Sequence, residues 1–508
     1  MNSIASVINI ILTNLDQYIL ECVPPSESYE KAISYTTSAF KGDERAVAIR
    51  GPPGTGKTYT ARCAIEKVFE YLLNNDVVFL HTAPTNELTF EIFMKVFPVI
   101  YRLGIDKGYD FKEVLSWVKI LGSGIPEPYF NERYPWLTDD IKKILKNIKR
   151  IDKNTKFVFS TDYQLVHVYG RDLIIFVDEA SKHPFYSAFN PVSAEWLRSI
   201  SEGKEEVIKG LTIVGDEFQA ISLSPEYRGF GKGLLALPML WDILEKTGKK
   251  SYTTLDVTFR LPPPLDVVLT EGFYKRVGAR LQSAVNLNER LEPLRDVVGK
   301  KYIESSVYRD VEEAVTTDRP FIVYNVDSKY LPGEFSEPKR VKLAIDVVET
   351  LYKLYGPSVK VMVVAPYSKT VLDVKYGVIS RIPDARVYNY VTTPSALGRE
   401  ADIVVTILGK EYPGVRKRTI HYLEPEGLDV LLSRARMLQI LIGNVTKMRD
   451  YSLNLIRRLS AEIKELDERG SRSPEKIEFR VAADMIYDTT KAIIKLSNND
   501  DVIFKEIK

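Results

Sequence analysis

The run Ala46 to Thr60, AVAIRGPPGTGKTYT, constrains this chain most: an apolar segment ends at Arg50 and a glycine-rich loop follows. Gly51, Gly56, Lys57 and Thr58 meet the phosphate-loop spacing G-x-x-x-x-G-K-[ST]. Such a loop holds phosphate through inward-turned backbone N–H groups, which need residues without side chains at close approach. The helix that follows adds a dipole favouring negative charge. Here Ala61, Ile65, Val68, Phe69 and Leu72 recur at helical spacing after the loop, so it lies between a strand and a helix. In that setting Lys57 reaches the β- and γ-phosphates and Thr58 holds Mg²⁺.

Strand-like runs alternate with helices through the first half of the chain: Val77 to His81 (VVFLH), Lys156 to Ser160 (KFVFS), Asp172 to Glu179 (DLIIFVDE) and Leu211 to Gln219 (LTIVGDEFQ). This spacing predicts a parallel α/β sheet whose ligands collect at the strands' carboxyl ends. The apolar run into Asp178-Glu179 supplies the second half of a nucleotide site. Asp178 is suited to hold Mg²⁺ facing Thr58, and Glu179 to orient and deprotonate a water. From 101 to 156 the rhythm lapses into a helical, aromatic and basic insertion. Within it Lys142, Lys143, Lys146, Lys149 and Arg150 surround an apolar stripe, as a solvated face or as a grip on phosphates. Tyr129, Phe130, Tyr134 and Trp136 read as a satellite core, with base stacking as the alternative.

The second half repeats the α/β pattern without a phosphate loop, with strands predicted at 320–325, 359–365, 385–390, 403–407 and 438–442. Residues 451–508 are charged and read as helical. Charge sets a limit on partners: 70 Lys plus Arg against 68 Asp plus Glu leaves +2, so any hold on a nucleic acid must come from a local groove. Cys22 and Cys63 are the only cysteines, and with four scattered histidines they offer no zinc or iron–sulfur site. Two cysteines fit a reducing cytoplasm. The first twenty residues lack a basic start and break their apolar run at Asn9, Asn14 and Asp16. They predict an amphipathic helix, and no segment reaches the ~18 apolar residues of a membrane span.

Taken together, the strand-end motifs resemble those of superfamily 1 helicases, particularly the up-frameshift-like (superfamily 1B) branch. GPPGTGKT resembles motif I, Ala83-Pro84-Thr85-Asn86 motif Ia, Asp178-Glu179-Ala180-Ser181 motif II, and Gly215-Asp216-Glu217-Phe218-Gln219 motif III. Thr258-Phe259-Arg260-Leu261-Pro262 is similar to the family's Tyr-Arg-Met-His-Pro motif. TTPSALGRE, ending at Glu400, is similar to motif V, and Leu432-Ser433-Arg434-Ala435-Arg436 to motif VI. These motifs stand in the family's order over about residues 28 to 445.

The resemblance implies an α/β fold of two RecA-like parallel-sheet domains of a P-loop NTPase, with a helical insertion in the first and a helical C-terminal tail. The corresponding boundaries are 1–27 for an N-terminal helix, 28–250 and 251–450 for the two domains, and 451–508 for the tail. It implies ATP and Mg²⁺ as cofactors, single-stranded DNA or RNA as partner, and a monomeric motor travelling 5′-to-3′. Nucleotide contacts fall on Gly51, Pro52, Pro53, Gly54, Thr55, Gly56, Lys57, Thr58, Tyr59 and Glu400. Arg260 and Arg434 would reach the γ-phosphate, and Gln219 would couple its state to the strand, which Thr85, Asn86, Thr161, Thr392 and Ser395 would contact. A nucleic-acid-stimulated ATPase that displaces proteins without unwinding, and a phosphate-loop switch that gates a partner, are the competing readings. The family's adenine-contacting glutamine aligns with Tyr29, and Leu397 stands where glutamine is common, which leaves adenine selectivity and some strand contacts open.

Overall fold

The computed structural model describes residues 22–121, 151–162, 171–180, 201, 203, 208–219, 235–331, 333–412 and 420–508. The chain forms two compact units, Met1–Pro52 with Gly56–Leu255, and Pro53–Thr55 with Asp256–Lys508.

The first unit is built on seven strands: β1 (Ala46–Arg50), β2 (Val77–Ala83), β3 (Val118–Ile120), β4 (Phe157–Thr161), β5 (Asp172–Val177), β6 (Ile208–Gly215) and β7 (Tyr252–Thr254). Their order is β3-β4-β2-β5-β6-β1-β7, with every pairing parallel. The carboxyl ends therefore share one edge. The central strands are buried almost throughout, as apolar runs in parallel sheets are. From β1 the chain passes through a helix to β2, leaving β5 and β6 between them, and this change of direction opens a crevice at the carboxyl ends.

In the second unit β10 (Phe321–Val326), β11 (Val361–Ala365), β12 (Asn389–Thr392), β13 (Ala401–Ile407), β14 (Ala435–Gly443) and β15 (Ile503–Ile507) form another parallel sheet, in the order β12-β11-β13-β14-β10-β15. A separate parallel pair joins β8 (Val257–Thr258) to β9 (Gln282–Ser283). The helix Pro338–Tyr355 buries Ala344, Ile345, Val348 and Leu351 in the core at helical spacing, with Val341 partly buried against it. The α/β class with two parallel sheets is thus the class read from the sequence.

Several local expectations change. The stretch from 101 begins as the end of a long helix, Asn86–Asp106, and then supplies Phe111–Trp117 and edge strand β3. Residues 122–150, with the aromatic cluster and the lysine-rich run, lie outside the described residues, as do residues 1–21 and Ser181. Pro383 opens a 3-10 turn over Pro383–Val387, so the strand predicted at 385–390 shrinks to β12. The charged tail is helical over Val445–Glu468 and Pro474–Asn498 but returns as β15 beside β10, so its last residues belong to the sheet.

Cys22 and Cys63 form a disulfide, with Cα atoms 5.4 Å apart, tying the chain ahead of the first described helix to the helix that follows the phosphate loop. Disulfides are rare in reducing compartments outside hyperthermophiles, so the cysteines no longer argue for a reducing cytoplasm. Among the described residues no helix is long and apolar enough to cross a membrane.

Candidate functional site

The phosphate loop leaves β1 at Arg50, and the N–H of Gly51 donates to the Gly215 carbonyl at the end of β6 (2.7 Å). Gly54 and Gly56 both have φ +72°, where side chains are strained. At Gly54 a Cβ would also stand 2.4 Å from Cβ of Arg260, so the loop's tip has no room for one. Gly56 is the N-cap of the helix Lys57–Asn74. Pro53–Thr55 belong with the second unit, where the Thr258 hydroxyl donates to the Pro53 carbonyl (2.8 Å) and the N–H of Phe259 to the Gly54 carbonyl (3.0 Å).

Lys57 donates from Nζ to the Gly51 carbonyl (3.1 Å) and faces Glu179 at 3.4 Å. The Thr58 hydroxyl donates to Oδ2 of Asp178 (3.3 Å), while Oδ1 accepts the N–H of Glu179 (2.8 Å). The lysine, hydroxyl and two carboxylates expected to work together are thus brought together within the first unit. Glu179 has φ +54°, a conformation costing a non-glycine residue about 1–3 kcal/mol, and such strain gathers where a side chain must point one way.

A pair missed in the sequence holds the next strand end. Arg50, 6% exposed, donates from Nε to Glu217 (2.6 Å) and from Nη1 to Thr254 (3.1 Å), with its guanidinium 4.1 Å from the Trp241 ring centre. This ion pair ties β1 to the 3-10 turn Glu217–Gln219, and so fixes where buried Gln219 begins. An arginine ending an apolar strand was the available signal.

Behind Asp178 lies a polar layer that its neighbours leave unsatisfied. His81 of β2 is buried with Nε2 3.7 Å from Asp178, beyond hydrogen-bond reach. Among the described residues neither its nitrogens, nor the Asp162 carboxylate, nor the hydroxyls of Thr82, Ser160 and Thr212 have a hydrogen-bond partner. Burial pushes the Asp162 carboxyl up to about 7; the Thr82 hydroxyl, outside hydrogen-bond geometry, offsets part of this, and the Asp178 charge adds to it. Groups this deep are met by water or by a partner in most proteins.

The strand-contact candidates of the first unit sit on the same edge. Thr85 caps the helix Asn86–Asp106, accepting the N–H of Leu88 (3.3 Å), and Asn86 opens that helix. Thr161 ends β4, in register with Ala83 at the end of β2. Tyr59 donates its hydroxyl to the Val23 carbonyl (3.0 Å), and Tyr29, aligned with the family's glutamine, is fully buried.

In the second unit Arg260 donates from Nε to Oε2 of Glu400 (2.9 Å), whose other oxygen lies 3.7 Å from Arg436. Glu400, expected at a nucleotide, therefore holds two arginines. Arg434 is 1% exposed, its Nε donating to the Val430 carbonyl (3.2 Å) and its Nη2 to the Ser433 hydroxyl (2.7 Å). Thr392 and Ser395 lie together with hydroxyls 3.2 Å apart. Thr392 ends β12, whereas Glu400 and Arg434 precede β13 and β14 at the opposite edge of the sheet.

No protein-family model and no curated protein matches the chain. Among solved structures it is similar to the arterivirus nonstructural protein 10 helicase in complex with DNA (13% identity, TM-score 0.35, covering 81% of this chain and 62% of that one). It is also similar to the DUF1998 helicase MrfA bound to DNA and AMPPNP (13% identity, TM-score 0.36, covering 92% and 57%). The chain thus spans less than two thirds of either protein. Overlaps of this extent assign no function.

Proposed function

We propose that this chain is an ATP-driven motor on single-stranded nucleic acid, of the superfamily 1 helicase type and its up-frameshift-like branch, travelling 5′-to-3′ as a monomer and separating duplexes. One juxtaposition carries the reading: Lys57 faces Glu179 at 3.4 Å and Thr58 meets Asp178 at 3.3 Å, on the sheet edge that also ends in Thr85 and Thr161. A phosphate site and polymer-contact positions on one edge suit an enzyme whose hydrolysis answers to a bound strand.

The residues fit Mg²⁺ and a triphosphate. Mg²⁺ takes one or two protein oxygens when phosphates supply others, and the Thr58 hydroxyl and Asp178 carboxylate are such oxygens. Bound Mg²⁺ would neutralise charge building on the transferred phosphoryl group. Around it Gly51, Gly54 and Gly56 present backbone, Lys57 exchanges its carbonyl and carboxylate for phosphate oxygens, and Glu179 accepts a proton from the attacking water. Gln219 reports the nucleotide state towards Thr85, Asn86 and Thr161. In this reading nucleotide binding is assigned to residues 28–250, and Arg260 and Arg434 of 251–450 carry planar, permanently charged groups that suit a transition state with charge spread over phosphoryl oxygens.

The test is ATP hydrolysis by the purified full chain with no polymer, with single-stranded DNA and with single-stranded RNA. Stimulation by one polymer, and strand separation on a duplex with a 5′ overhang, are expected. Hydrolysis indifferent to both polymers would refute the motor and leave a nucleotide switch.

A further inference from the structure

The loop between β10 and the helix Pro338–Tyr355 is held unusually firmly. Tyr330, 1% exposed, donates its hydroxyl to the Leu408 carbonyl (2.9 Å). Arg340, fully buried, donates from Nε to the Ser328 hydroxyl (3.0 Å) and from Nη1 to the carbonyls of Leu408 (3.2 Å) and Gly409 (3.3 Å), and pairs with Glu411. These contacts carry the loop past β14 to the end of β13, since β14 lies between β10 and β13 in the sheet.

There the loop offers Phe335. A single exposed aromatic side chain is ordinary. This one is half exposed yet fixed: its carbonyl accepts the Thr370 hydroxyl (2.6 Å), its ring meets Tyr367 edge-on with centres 5.3 Å apart, and Lys410 Nζ stands over the ring, 4.5 Å from its centre. Tyr367 follows the end of β11. The neighbouring β12 ends at Thr392, and the N–H of Thr393 donates to the Ala365 carbonyl (3.1 Å), so the ring shares an edge with Thr392 and Ser395.

We propose that Phe335, backed by Tyr367 and flanked by Lys410, is a stacking platform for a base of a single-stranded nucleic acid, with Lys410 meeting the adjoining phosphate. The proposal rests on the single-strand reading above and adds the subsite. A half-exposed ring that is held in place loses little freedom when a base lies on it, every base has a π-face to offer, and the Lys410 ammonium at the ring suits the phosphate that follows.

The test uses the full chain and fluorescence anisotropy with labelled oligothymidylate, oligouridylate and an abasic deoxyribose-phosphate oligomer of equal length. Phe335→Ala should weaken both base-bearing oligomers by roughly 5- to 100-fold, the fold-change matching ~1–3 kcal/mol per stacked base at 1.4 kcal/mol per decade. The abasic oligomer should bind as before. Phe335→Trp should restore affinity, with its emission quenched by the bound base. Lys410→Gln should weaken all three and lower the salt slope by ~0.7. Base-bearing oligomers that bind Phe335→Ala as tightly as wild type, or an abasic oligomer weakened equally, overturn the platform while leaving the motor standing. Wild-type protein that binds none of the three overturns the motor and the platform together.

Discussion

At the carboxyl edge of the first sheet, Glu179 is held at φ +54°, and the buried side chains of His81, Thr82 and Asp162 have no hydrogen-bond partner among the described residues. At the carboxyl edge of the second, Arg340 spends its donors on Ser328, Leu408, Gly409 and Glu411, and His421 accepts the N–H of Gly409 (2.9 Å). Burial raises the Glu411 carboxyl, with Arg340 pulling it back down, and lowers His421 to about 3, with the Arg340 charge adding to the effect. Both edges are polar, but the first carries strain and a cluster of unmet groups, whereas at the second the Arg340 network is satisfied within itself and the Thr393 hydroxyl is left unmet among the described residues. Unmet polarity and strain persist where the surrounding fold imposes them, and they gather at functional sites. A saturated network instead fixes backbone, here the loop that carries Phe335.

The largest effect expected is at Arg434. Arg434→Ala should cut polymer-stimulated turnover by roughly 10³- to 10⁵-fold while nucleotide affinity stays within a few fold. Because Arg434 is buried against Val430 and Ser433, a thermal melt must accompany the assay. Arg434→Lys keeps the charge and should not rescue turnover, since an ammonium cannot reproduce the planar fork. Normal turnover in both variants would make Arg434 purely structural.

Next in size is the closed edge itself. Arg340→Ala leaves Glu411 buried without its cation and should cost ~3–5 kcal/mol of stability in urea denaturation, with nucleotide binding by the native protein retained. A loss below ~1 kcal/mol would show that the network does not hold the edge. Smaller again is a pH effect. Neutral His421 has a folded pKa of about 3, below its ordinary 6.5, so the unfolded chain takes up the proton first. Its contribution is present above pH 6.5 and lost as pH falls through the window towards 3, by at most ~1.4 kcal/mol per pH unit. His421→Gln keeps an acceptor for Gly409 and should flatten that slope; identical slopes would remove His421 from the network.

What could be read in advance follows from what periodicity and spacing encode. The strands ending at Arg50, Val177 and Gly215 were legible because buried parallel strands are continuous apolar runs, and Lys57, Thr58, Asp178 and Glu179 because their positions relative to those strands are fixed. β15, reading IFKEI, was not: it mixes apolar with charged residues, and only pairing with β10 makes it a strand. Arg50 with Glu217, and Arg340 with Glu411, were silent because each partner lies far along the chain. The same holds for Phe335, whose surroundings arrive from three strand ends.

The strained edge of the first unit is proposed to hydrolyse ATP in answer to a bound strand. The most direct test is the turnover of Glu179→Gln beside wild type, with and without single-stranded oligonucleotide, together with ATP affinity of both. Wild-type turnover should rise with the strand, and the variant should bind ATP but turn over at least ~10²-fold more slowly with strand bound. Near-normal, strand-stimulated turnover in Glu179→Gln would contradict it.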